Sequence, residues 1–238
     1  MSIPILMYHQ IDVPPPRGTP LRGLVVSPAS FAWQMQALDF LGYRGCSMRE
    51  LEPYLSGQRT GKVVGITFDD GYQNNLHNAL PVLRRFGFTA TCYAVSSMLG
   101  GSNSWDQGLV ALKPLMTEGD YKAWLAAGMD VGSHTRTHAD LEKTTPAEAL
   151  DEIQGSRTEL ETRLQCEVRH FCYPYGRFSD LHCQLVRDAG YTTATTTRRG
   201  RVQANDDSTT LRRIMVAQAT NPFQFALKVL TSYEDRRG

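Results

Sequence analysis

The chain has 238 residues, 41% of them hydrophobic, and a formal net charge of +1. That composition suits a soluble globular protein with a substantial core, and it offers no basic surplus for nucleic acid or an acidic membrane surface. No run approaches the roughly 18 apolar residues of a membrane span.

The first ten residues lack a basic start, a long apolar stretch and a small-residue cleavage site, so they do not read as a signal peptide. As written, the chain is expected in the cytoplasm, with export by another route left open. Within this opening, residues 3–8 read as a buried strand that ends at His9. Pro14-Pro15-Pro16 and Gly18 force a loop. Ser27 caps a helix with Pro28 at its first position; Phe31, Met35, Leu38 and Leu41 carry its apolar face and Gly42 stops it. Ser47 and Glu50 fit a capping box for a second, short helix ending near Gly57. An apolar strand, Val63–Phe68, runs into Asp69-Asp70-Gly71.

Residues 75–86 read as a helix stopped at Gly87, and residues 88–95 as a β-branched and aromatic strand. Residues 100–104 are a loop, 117–127 a helix and 129–133 a strand. Thr145 and Glu148 cap a long helix reaching Leu164, with a gap in its apolar spacing near Gly155. Residues 168–172, 191–195 and 211–216 are strands; residues 179–190 and a last segment from Asn221-Pro222 are helices. Strands alternating with helices imply parallel βαβ units. About seven strands in one domain over residues 1–238, with no repeat or linker, suit a (β/α) barrel or an open doubly wound sheet. Five cysteines, an odd number without a Cys-x-x-Cys pair, read as free thiols in a reducing compartment.

In parallel α/β folds the site lies at the C-terminal ends of the strands. Here those ends carry His9, Asp69-Asp70, the segment from His134 to His138, and Tyr173-Pro174-Tyr175-Gly176. A lone Asp-Asp-Gly is usually a cap or a turn, and a lone His-x-x-x-His is often a chance pair. Together they read differently. On a helical turn His134 and His138 share one face and reach one ion. Two imidazoles, one carboxylate and an open position make a catalytic zinc set, and Asp70 can supply the carboxylate. Neighbouring strand residues point opposite ways, which leaves Asp69 free to act as general base. A two-carboxylate glycosidase needs acids on opposite sides of one bond, roughly 5–10 Å apart, which neighbours on a strand do not provide. A serine hydrolase would need a Gly-x-Ser-x-Gly elbow, which the chain lacks.

These motifs, in this order, resemble the polysaccharide deacetylases of carbohydrate esterase family 4. The family's first motif is similar to Thr67-Phe68-Asp69-Asp70-Gly71, its second to Ser133 through His138 and its third to Tyr173-Pro174-Tyr175-Gly176. The resemblance implies an irregular (β/α) barrel of about seven parallel strands. It implies Asp69 as the catalytic base; Asp70, His134 and His138 as ligands of one divalent ion, zinc; and the backbone N–H of Tyr175 as an oxyanion donor. Two positions depart from the pattern. Many members place an arginine that braces the base two residues before the third-motif proline, where this chain has Cys172; Arg213 is a possible base-orienting substitute. Members with the usual motif order carry a C-terminal acid histidine, whereas no histidine follows His182 here. The opening resembles the poly-N-acetylglucosamine deacetylase branch, whose motif order is permuted, and this implies His9 as the catalytic acid. The expected activity is hydrolysis of N-acetyl groups from N-acetylated amino sugars in a glycan, with no nucleic-acid partner. A metal-dependent amidase on a small non-sugar amide, and a non-catalytic carbohydrate-binding protein on the same fold, are the other readings.

Overall fold

Strands and helices alternate along residues 2–237, which this computed structural model describes. β1 (Ile5–Tyr8) leads through a short pair, β2 (Gln10–Ile11) and β3 (Val25–Val26), into α1 (Pro28–Phe40). β4 (Arg44–Cys46), α2 (Met48–Leu55) and β5 (Val63–Phe68) follow, then α3 (Leu80–Arg85), β6 (Thr91–Ala94), α4 (Glu118–Ala126) and β7 (Asp130–Ser133). After them come α5 (Pro146–Leu150), α6 (Ser156–Leu164), β8 (His170–Cys172), α7 (Asp180–Asp188), β9 (Thr193–Arg199), β10 (Leu211–Met215) and α8 (Pro222–Leu230).

The sheet closes because β1 pairs with both β10 and β5. β1, β5, β6, β7, β8, β9 and β10 thus form a parallel barrel of seven strands, with β4 added along the first half of β5. All residues of β1, β5, β6 and β7 are buried, as expected of parallel strands covered on both faces. Their period of two sorts side chains between two layers. Leu6, Tyr8, Ile66, Phe68, Phe171 and Ile214 join Phe31, Leu83, Trp124 and Leu160 of the surrounding helices in the main core. Ile5, Tyr93, Cys172 and Leu211 belong to a second cluster with Met48 and Leu51 of α2. By the same alternation, Thr67, Asp69 and Arg213 lie on the face of this second cluster, inside the barrel.

Two helices depart from the sequence expectation. The helix expected over residues 75–86 starts as a π-turn, Asn75–Ala79, before α3. Pro81 has no N–H to give to the His77 carbonyl, and Leu80 N–H reaches back five residues to Asn75 instead. The long helix expected up to Leu164 is interrupted by a second π-turn, Asp151–Gly155, where the apolar spacing faltered. There the Ile153 carbonyl accepts hydrogen bonds from Ser156 Oγ at 2.8 Å and Tyr191 Oη at 3.0 Å. The β2–β3 pair and β4 are too short to leave a periodic signal. Two helix caps are as read: Ser27 accepts from Ser30 N–H, and Thr145 forms a full capping box with Glu148. The box expected of Ser47 and Glu50 is only half formed: Ser47 accepts from Glu50 N–H, but its own N–H donates to Thr89 Oγ1. All five cysteines are free.

Candidate metal centre and active site

Asp69 and Asp70 leave the C-terminal end of β5 in opposite directions. Asp69 N–H is held by the Tyr8 carbonyl at 2.9 Å, which continues the β1–β5 ladder one step past the strands. Its side chain stays inside the barrel and is buried. There Arg213, from β10, grips it with two parallel bonds: Nη1 to Oδ1 at 2.6 Å and Nη2 to Oδ2 at 2.7 Å. Such a fork-to-fork pair fixes the plane of the carboxylate as well as its charge. Burial pushes the Asp69 pKa up; the charge and hydrogen bonds of Arg213 outweigh that and hold it below the ordinary carboxylate value. His9, at the end of β1, places Nε2 3.9 Å from Asp69 Oδ2.

Asp70 turns away because its backbone is left-handed, with φ 73°, and Gly71 follows at φ 79°. A side chain at 71 would be strained at that φ and would meet the Tyr121 hydroxyl at 2.3 Å. The turn brings Asp70 Oδ1 to 3.4 Å from His134 Nε2 and 3.3 Å from His138 Nε2.

The two histidines do not sit on a helical turn, which corrects the sequence expectation. They flank an irregular loop after β7, in which Thr135 and His138 have φ of 65° and 63°. His134 N–H continues the sheet to the Ala94 carbonyl at 2.8 Å. The loop is then held by Glu152 of the second π-turn, which accepts from Arg136 N–H at 2.8 Å, Thr137 N–H at 3.0 Å and Thr137 Oγ1 at 2.7 Å. Arg136 in turn pairs with Asp151 and with Glu159. The wide turn in the helix therefore presents the carboxylate that folds the histidine loop, a frequent place for a π-bulge.

Each imidazole is fixed through its other nitrogen. His134 Nδ1 faces the Cys172 carbonyl at 2.7 Å and His138 Nδ1 the Tyr175 hydroxyl at 3.1 Å. Tyr175 occupies a left-handed position, φ 59° and ψ 1°, just after β8. Gly176 follows at φ 68°, where a Cβ would fall 1.9 Å from Thr197 Oγ1. Trp105 stacks on His138 with ring centroids 4.3 Å apart and an 18° tilt. Sequence reasoning missed both Trp105 and Glu152, because a tryptophan in a loop and a glutamate on a helix carry no spacing signal.

Whether these residues suit an ion is answered by their donors. Asp70, His134 and His138 are buried, and Asp70 Oδ1 lies 3.4 Å and 3.3 Å from the two Nε2 atoms. That is long for a hydrogen bond. It matches the ligand-to-ligand edge of about 3.3 Å in a tetrahedron with bonds of about 2.0–2.1 Å. With both Nδ1 atoms engaged, both Nε2 atoms converge on Asp70, as outer partners of metal-bound histidines arrange. Burial works against charge on Asp70, but His134 and His138 override it and hold its pKa well below the usual range. Asp69, His134 and Cys172 also bring ligand-type atoms within 4.8 Å of one another. That second group is already served by a cation, since Arg213 bonds both Asp69 and the Cys172 sulfur. A cleft of about 820 Å³ at the other end of the barrel, with Tyr43, Tyr54, Arg59, Lys62 and Arg201 in its lining, is lined by no carboxylate side chain or histidine.

The structure thus brings Asp69, Asp70, His134, His138, His9, Tyr175 and Arg213 together at the C-terminal end of the barrel. The chain has recognisable relatives among known proteins. The chain is similar to a putative polysaccharide deacetylase, YxkH, from Bacillus subtilis: 28% identical over 218 residues, covering 91% of this chain and 72% of that one. It is 24% identical to the poly-beta-1,6-N-acetyl-D-glucosamine N-deacetylase of Staphylococcus epidermidis over 226 residues, 91% of this chain and 76% of the relative. Among solved structures it is similar to the Streptococcus pyogenes deacetylase PplD in complex with acetate, with a TM-score of 0.84, 28% identity and coverage of 96% and 98% of the two chains. The polysaccharide deacetylase family model matches residues 56–194, more than half of the chain and all three motifs, so the chain belongs to the polysaccharide deacetylase family of hydrolases.

Proposed function

We propose that the protein hydrolyses N-acetyl groups from N-acetylated amino sugars in a glycan, with Asp70, His134 and His138 holding one divalent ion, zinc by their donor set. The observation that carries this reading is the division of labour between adjacent acids: one faces two imidazoles, the other a buried guanidinium. The activity named for the Staphylococcus epidermidis relative supports the choice of substrate class. When bound, a divalent ion at such a set supplies Lewis acidity and lowers the pKa of a water it holds to roughly 7.

This chain's own residues do the rest. Asp69, kept ionised by Arg213, takes the proton of the attacking water as the new C–O bond forms. The Tyr175 backbone N–H hydrogen-bonds the negative oxygen that develops on the acetyl carbon, usually the largest single contribution in acyl transfer. His9 lies on the Asp69 side of the site and gives a proton to the departing nitrogen as the C–N bond breaks. Acetate and a free amino sugar leave.

The test is acetate release from N-acetylglucosamine oligomers and from small non-sugar acetamides. Release from the oligomers with little from the acetamides is expected. Release from the acetamides alone would make the protein an amidase, and oligomer binding without release would make it a carbohydrate-binding protein.

A further inference from the structure

Arg213 is fully buried, and a guanidinium has five N–H donors to satisfy. All five have an acceptor. Nε donates to the Thr196 carbonyl at 2.9 Å, and Nη1 to Thr67 Oγ1 at 3.0 Å and Asp69 Oδ1 at 2.6 Å. Nη2 donates to Asp69 Oδ2 at 2.7 Å and to the Cys172 sulfur at 3.1 Å. The Tyr93 ring lies beside the guanidinium, with its centroid 5.8 Å from Cζ. Cys172 comes from β8, with β9 between it and Arg213. It is buried on the inward face, and its sulfur lies within 4.8 Å of an Asp69 oxygen. Position 172 therefore faces the base directly. A side chain much longer than cysteine there would take the volume that the Arg213 head occupies.

We propose that Cys172 is a positioning residue for Asp69: it leaves the space that Arg213 fills from β10 and, by accepting the fifth N–H, fixes the plane in which the guanidinium grips the base. Residues 172 and 213 are then an exchangeable pair, because an arginine from either strand reaches the same carboxylate. The thiol touches neither substrate nor water in this role. Its loss leaves a buried N–H unpaired, and the guanidinium twists to find another acceptor. The Asp69 plane follows, and the cost falls on the chemical step rather than on substrate binding.

This inference rests on the deacetylase reading for its kinetics, so its test carries a second readout. Cys172→Val keeps an apolar side chain of similar size without the acceptor; Cys172→Ser keeps an acceptor. Valine is expected to lower kcat by about tenfold with KM within about twofold, and serine to recover most of that loss, as for a small displacement of a catalytic group. Arg213→Ala is expected to lower kcat by about a hundredfold, and Cys172→Arg combined with Arg213→Ala to regain at least about tenfold over Arg213→Ala. In ¹⁵N–¹H spectra the Nη hydrogens of Arg213 are expected to be resolved in the wild type and with serine, and broadened by exchange with valine. Equal kcat and equal Nη signals for valine and serine would overturn the proposal, as would a folded double variant no more active than Arg213→Ala. If the double variant does not fold by circular dichroism, the valine–serine comparison decides. A wild type that releases no acetate, yet shows the expected Nη behaviour, refutes the deacetylase reading and leaves the brace standing.

Discussion

Arg213→Met removes the only partner that meets both oxygens of Asp69 among the described residues, and leaves a carboxylate 2% exposed inside the barrel. Breaking one side of a buried ion pair costs about 3–5 kcal/mol, because the remaining charge is uncompensated. Methionine fills much of the volume, so the loss reports the charge and its hydrogen bonds more than a cavity. The sign with pH follows from the wild type. Asp69 has its pKa depressed in the folded state, so its contribution is present above its unfolded value of about 3.9 and disappears as pH falls through the folded one. In the variant, burial acts with Arg213 gone and the folded pKa moves above the unfolded value, so the sign reverses: ionised Asp69 destabilises the fold at pH 7, and the deficit shrinks as pH falls through the folded pKa. The acid limb of kcat/KM moves up with that pKa, since the base must be ionised. Urea unfolding of metal-stripped protein at pH 7 and pH 5, with kinetics alongside, measures both. A stability loss under about 1 kcal/mol with an unmoved acid limb would refute the brace, because an exposed pair is worth no more than that.

His170 is buried with Nδ1 on Thr193 Oγ1 at 2.9 Å and Nε2 without a hydrogen-bond partner, and burial pushes its pKa down to about 3. Its neutral form is the folded one, so its contribution is complete above about pH 6.5 and erodes toward pH 3, by up to about 1.4 kcal/mol per unit. The urea midpoint of wild type should fall over that window more steeply than that of His170→Gln; parallel profiles would contradict the assignment. Glu152→Ala should free the loop between His134 and His138 and weaken ion binding about 10–100-fold with the fold intact, read by competition with a coloured chelator. Unchanged affinity would show that the loop holds itself. His9→Ala should lower kcat on N-acetylglucosamine oligomers by about a hundredfold, as loss of a general acid does; a near-normal rate would assign the acid elsewhere.

The acid–acid–glycine strand end and the histidine spacing were legible because each motif is local and carries its chemistry in a few adjacent residues. The alternation of parallel strands and helices was legible for a similar reason: buried parallel strands leave apolar runs, and caps such as Ser27 and Thr145 mark where helices begin; the choice of a closed barrel over an open sheet came from the family resemblance. The rest depends on three-dimensional closure. Arg213 could be named only as a possible substitute for the missing arginine, because it lies 144 residues from Asp69 and only β10 pairing with β1 brings it there. Glu152 is one acidic residue among many on a polar helix face until the π-turn aims it at the histidine loop. That same loop is why the helical reading of His134 and His138 failed: two left-handed residues, Thr135 and His138, bring the rings together without any helix. Trp105 belongs to a short 3-10 turn in a segment that reads only as loop.

The central claim is that adjacent carboxylates divide the work, Asp70 with the ion and Asp69 with the proton. Metal content and acetate release measured together on Asp69→Asn, with His134→Ala as the companion, test it most directly. The expected result is one equivalent of divalent ion on Asp69→Asn with acetate release from N-acetylglucosamine oligomers abolished, and an ion largely lost from His134→Ala. Asp69→Asn that still turns over at a near-normal rate, or His134→Ala that keeps a full complement of ion, would contradict it.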